Sequence, residues 1–166
     1  QSGGAIHNVA VGIDAGLHET FANCIFSDNT ATQYPVIHTT RLFADNSVVF
    51  SNCNVQGAFP SGSWDATLGV NGGGNMATNP LFAAAARSNF TLQAGSPCIN
   101  AGHNGSVPAN ITQDLAGLPR ISDGTVDMGA YETPYIVGVT FHGNGGTPAT
   151  ASSNYVEGVA FGAFPS

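Results

Sequence analysis

Four carboxylates crowd into one stretch of the chain, Asp114, Asp123, Asp127 and Glu132, with Arg120 among them. Oxygen donors so grouped suit calcium, a hard cation that gathers side-chain and backbone oxygens; Asp114, Asp123 and Asp127 are the candidate ligands. The same residues have a structural use. Arg120 can pair with Asp114 or Asp127, and Asp123-Gly124 is turn chemistry. Because unpaired charge is rarely buried, the structural use is favoured.

Carbohydrate cleavage makes sharper demands. A glycosidase needs two carboxyls across the scissile bond, and the chain lacks the paired-Asp and Gly-His-Gly signatures of pectin hydrolases. Acidic polysaccharides are poor substrates for a chain with no lysine and only Arg41, Arg87 and Arg120. His7, His18, His38, His103 and His142 are scattered, and no Ser or Cys lies in a nucleophile motif. His103 and His142 sit in turn-like stretches, Trp64 reads as cover for a core edge, and Gly72-Gly73-Gly74 reads as a flexible loop. No catalytic constellation or cofactor motif emerges. Cys24, Cys53 and Cys98 allow at most one internal disulfide and have no zinc spacing. Asn89, Asn104 and Asn110 open sequons that a host with the machinery could glycosylate.

The elements that position these residues must be short. The chain has 166 residues, a formal charge of -7 and only 8% charged residues. Clustered cations for nucleic acid are missing. No apolar run approaches the ~18–20 residues that span a bilayer. Gln1 follows no signal-peptide pattern, so the chain reads as a mature or excised form. Its 22 Gly and 15 Asn supply corners, since both tolerate left-handed backbone. Leu81–Ala86 is the only plausible helix. Elsewhere short alternating runs bounded by Gly, Asn or Asp predict strands: Ile6–Val11, Thr20–Phe26 and Ser47–Phe50.

Two of these runs match. Phe21-Ala22-Asn23-Cys24-Ile25-Phe26 is echoed by Phe50-Ser51-Asn52-Cys53-Asn54-Val55, and Phe26-Ser27-Asp28-Asn29 by Phe43-Ala44-Asp45-Asn46. Such repeats imply stacked units, each unable to bury its apolar face alone. Stacking would lay Phe21 on Phe50 and bring Cys24 beside Cys53, either as a disulfide or as two reduced thiols.

Gly3-Gly4-Ala5-Ile6 with Phe26-Ser27-Asp28-Asn29 resembles the GGAI and FxxN repeats of polymorphic outer-membrane proteins, which build right-handed parallel β-helices on cell surfaces. Asn79-Pro80-Leu81-Phe82, Gly95-Ser96-Pro97-Cys98-Ile99-Asn100-Ala101-Gly102, Asp114–Arg120 and Val126–Glu132 resemble the C-terminal part of secreted bacterial β-helix proteins. Beyond Glu132, Gly138–Thr147 and Tyr155–Pro165 resemble the first strands of an internalin-type B-repeat. The resemblance implies an all-β chain: a short right-handed parallel β-helix (β-solenoid) over 1–133, then a small partial β module over 134–166.

Function is then sought at the edges. Gly3, Gly4, Ala5 and Ile6 at one end, and Val139, Phe141, Val156, Val159, Phe161 and Phe164 at the other, are candidate assembly residues. Open strand edges template further pairing, and head-to-tail contact that does not close gives a filament. The expectation is an extracellular structural or adhesive surface protein that partners itself. Cell-wall or extracellular glycans are alternative partners, through carbohydrate binding or cleavage; nucleic acid and membrane insertion are not expected.

Overall fold

The computed structural model describes residues 6–9, 18–30, 37–40, 47–142, 144 and 150–156, and these form an all-β chain. The first seven strands are β1 (Ile6–Val9), β2 (His18–Ala22), β3 (Ile25–Phe26), β4 (Ile37–Thr40), β5 (Ser47–Ser51), β6 (Asn54–Val55) and β7 (Val70–Asn71). β1 pairs with β4, β2 with β5, β5 with β7 and β3 with β6, always in parallel. β2, β5 and β7 thus lie side by side as three short levels of one sheet, while β1–β4 and β3–β6 are two-stranded. The repeat sets their register: Phe21 lies opposite Phe50, and Ile25 opposite Asn54.

The first two levels bend where the repeat carries its first Asn. Asn23 and Asn52 take the left-handed conformation, with φ of 55° and 50°, which Asn tolerates better than most residues. The Asn23 N–H donates to Ser51 O at 3.2 Å and the Asn52 N–H to Gly73 O at 2.8 Å, so the ladder continues through the corner. The third level has one residue more, and the Asn75 side chain spans the misfit. Its amide donates to Phe50 O at 2.7 Å and accepts the Cys53 N–H at 2.9 Å.

Alternation about these corners sends Val48, Phe50, Cys53 and Val55 inward, where they are fully buried with Ala58. Phe21 stacks on Phe50 at 5.6 Å, Phe26 meets both rings edge-on, and Trp64 lies 5.8 Å from Phe50. Trp64 covers the core edge, its indole N–H donating to Gly69 O at 2.9 Å.

The glycine run lies against the second level. A Cβ on Gly74 would fall 2.4 Å from Asn52 Nδ2, and one on Gly69, just upstream, 2.3 Å from Val48 O. Both positions also have φ above zero. The third level lies this close to the second because no side chain separates them.

Beyond Met76, which bridges Asn54 in parallel, the described chain adds no further parallel strand. The helix expected over Leu81–Ala86 is replaced by β8 (Phe82–Ala84) and a single 3-10 turn, Ala85–Arg87, leading into β9 (Asn89–Leu92). Leu81 has a φ of 53°, which breaks a helix at its start, and β8 pairs antiparallel with β9. Pairing supplies backbone partners that two isolated helical turns would leave unsatisfied. β10 (Ile136–His142) and β11 (Thr150–Val156) form a two-stranded antiparallel sheet, Ile136 opposite Val156.

Residues 96–133 form a second layer outside β3 and β6. Asn54 is buried beneath it, its amide donating to Thr78 O at 2.9 Å and accepting the Thr78 N–H at 3.0 Å. Cys98, Val126 and Met128 are fully buried in this layer. Asn23 clamps it from the corner, accepting the His103 N–H at 2.8 Å and donating to His103 O at 3.1 Å.

Removing the central ring should therefore cost far more than trimming the surface. In urea denaturation, Phe50→Ala is expected to lose ~3–5 kcal/mol, and Leu115→Ala, at 70% exposure, under ~0.5 kcal/mol.

Candidate functional site

The acidic stretch folds into an interlocked clasp. Arg120 pairs with Glu132, not with Asp114 or Asp127, and its other Nη donates to Gly129 O at 2.9 Å. The expected partners are occupied by backbone. Asp114 accepts the N–H groups of Ala116 at 2.9 Å, Leu118 at 2.8 Å and Glu132 at 2.9 Å. Asp127 accepts those of Asn100 and Thr133, each at 2.7 Å. Glu132 also takes the Asp127 N–H at 3.1 Å. Charge-assisted bonds of this kind are the strong ones, and they tie Asn100, residues 114–120 and residues 127–133 together.

Asp123 stands apart on the turn, with φ of 52°, and Gly124 beside it has φ of 80°. Its carboxylate accepts the Asn100 amide at 3.0 Å. Asp114, Asp123 and Asp127 are thus not brought together, and no metal-binding group of three His, Cys, Asp or Glu occurs among the described residues. Burial lifts Glu132 to about 7, with the Asp127 charge acting in the same direction and Arg120 opposing it.

An open groove of about 720 Å³ lies beside the clasp. Phe21, Cys24 and Phe26 of the first level form one side; Phe82, Phe90 and Tyr131 contribute to the rest. Phe82 and Phe90 meet edge to face at 5.3 Å. The first-level residues are only half-buried, whereas Phe50, Cys53 and Val55, one level on, are 0% exposed. The interior of the stack opens into the groove. An apolar, aromatic-lined wall of this kind can receive an apolar segment or the face of a sugar ring.

Cys24 and Cys53 occupy matching positions on adjacent levels as free thiols, and Cys98 is also free. His103 sits in a turn, its Nδ1 3.3 Å from Ser106 Oγ. Of the sequon residues, Asn89 and Asn110 are exposed; Asn104 is exposed too, but its amide donates to Gly124 O and accepts the Val126 N–H, each at 2.9 Å. Among the assembly candidates, Ile6 lies in β1, Val139 and Phe141 in β10, and Val156 in β11. Gly3, Gly4, Ala5, Val159, Phe161 and Phe164 lie outside the described residues. Sequence reasoning missed the groove aromatics, which meet only through tertiary folding. It also missed the corner role of Asn23 and Asn52, although their recurrence inside the repeat was a usable signal.

No family model, curated protein or solved structure matches the chain.

Two measurements test the clasp. Asp127→Asn replaces one acceptor oxygen by a donor facing an N–H, and should lower stability by ~2–4 kcal/mol in urea denaturation. Glu132 has a folded pKa above its unfolded value, so its stabilising contribution is complete below about pH 4.5 and is lost as pH rises through about 7. The urea midpoint should fall across that window, by no more than ~3 kcal/mol in stability, and Glu132→Gln should flatten the profile.

Proposed function

We propose that the parallel levels belong to a short right-handed parallel β-helix and that the protein is an extracellular structural or adhesive surface subunit that self-assembles head to tail. Right-handed crossovers are the general rule for parallel strands joined within one sheet. One observation carries the reading: Phe21, Cys24 and Phe26 occupy the positions of the fully buried Phe50, Cys53 and Val55, yet stand half-buried at an open groove. A level left partly uncovered in this way is complementary to another level of the same kind. Among the described residues, β1, β2 and β3 each pair on one side only.

The C-terminal sheet supports the same reading. Two strands alone are marginally stable, and a third strand is the usual remedy. Ile136 is 50% exposed and Val139 half-buried on β10, so an added strand would gain both backbone partners and apolar cover. No lysine blocks these edges. Among the described residues no helix is long and apolar enough to cross a membrane, which is compatible with a secreted chain.

Purified protein should form filaments in negative stain and light scattering, more strongly as salt screens the -7 charge. Deleting residues 134–166, or placing a charge in the groove with Phe26→Asp, should abolish them while circular dichroism still reports a folded β protein. A folded chain that stays monomeric at high concentration and salt would sink the reading. The aromatic groove favours one alternative, a carbohydrate-binding module, which requires glycan affinity from the monomer.

A further inference from the structure

The groove also reaches chemistry that assembly does not use. Cys24 and Cys53 each follow the left-handed corner residue of their level, between the register pairs Ala22–Ser51 and Ile25–Asn54. Paired parallel strands lie about 4.8 Å apart, and the Cα atoms of a disulfide are commonly about 4.4–6.8 Å apart. The backbone that carries the two residues is held on both sides. The Asn54 N–H donates to Cys24 O at 2.9 Å, and the Met76 N–H to Cys53 O at 2.8 Å. Bringing the sulfurs together therefore requires side-chain rotation within an existing ladder.

Both thiols lean on the same rim of carbonyls. Cys24 Sγ donates to Ala22 O at 3.0 Å, and Cys53 Sγ lies 3.3 Å from both Phe21 O and Ser51 O. Their surroundings differ in access: Cys24 forms part of the groove wall, and Cys53 is completely buried. Cys98 is separate, buried in the outer layer with its Sγ 3.2 Å from the Asn54 amide.

We propose that Cys24 and Cys53 are a redox-active dithiol, which a hydroperoxide entering the groove closes to a disulfide across the first two levels. The hydrogen bond from Cys24 lowers the Cys53 thiol against its burial, while pairing with Cys53 and burial push Cys24 up. Cys24 stands at the groove wall, where a hydroperoxide reaches it, and as it passes its proton to the Cys53 sulfur its thiolate becomes the nucleophile.

Its sulfur attacks one peroxide oxygen. The S–O bond forms, the O–O bond breaks, and the leaving hydroxide takes a proton from solvent to become water. Cys24 is then a sulfenic acid. Cys53 sulfur attacks it, the S–S bond forms and the S–O bond breaks, with the oxygen leaving as a second water. Two thiols are oxidised and one hydrogen peroxide is reduced. A small dithiol reverses the change by thiol–disulfide exchange.

The folded 166-residue chain treated with one equivalent of hydrogen peroxide should lose the mass of two hydrogen atoms. Peptide mapping should find Cys24 linked to Cys53 and Cys98 still alkylatable after unfolding. The urea midpoint should rise and return on treatment with dithiothreitol. In Cys53→Ser the reaction should stop at a dimedone-reactive sulfenic acid on Cys24, and Cys24→Ser should form no disulfide. A folded wild-type protein that forms no link, or links through Cys98, overturns the proposal even if both variants misfold. None of these readouts depends on filament formation.

Discussion

Register between stacked corners is the constraint on which the rest of this protein depends. Asn23 and Asn52 turn the chain in the same left-handed conformation and keep the ladder unbroken across the bend. Because strand side chains alternate, a slip of one residue would exchange the two faces of a level. Phe50 would leave the core, and Asn54 would enter it without Thr78 to satisfy its amide. The aromatic stack, the neighbouring thiols and the amide beneath the outer layer all follow from the register between the first two levels.

The outer layer solves a different problem. It has few strands, so its backbone donors must be satisfied by side chains instead. Asp114, Asp127 and Glu132 do this, accepting N–H groups from loops that have no ladder to join. Carboxylates engaged in this way have little capacity left for an ion or a substrate. What the clasp does supply is rigidity beside the groove, since Arg120 and Tyr131 contribute to the groove's lining.

The parallel stack was legible in the sequence because its repeat places Phe, Asn and Cys at matching steps, and each has a separate physical task there. The pairing of Arg120 was not legible: Asp114 and Asp127 are equally near in sequence, and only the folded loops show that their oxygens are already taken. Leu81–Ala86 misled for a related reason. Local composition favoured a helix, but Phe82 opposite Leu92 gives the segment partners that composition cannot register. Gly74 read as slack and proved to be a point of closest approach. The groove had no sequence signal, because its walls come from segments far apart along the chain.

That distance has a kinetic side. Asn23 and His103 exchange two hydrogen bonds across 80 residues, and closing so long a loop carries an entropic cost that must precede any reward. Folds rich in such non-local contacts form slowly. During synthesis the first corner emerges early, but its clamp cannot form until His103 has left the ribosome. Over that interval the first level lacks the outer layer, so the order of synthesis leaves that level waiting for a lock encoded far downstream.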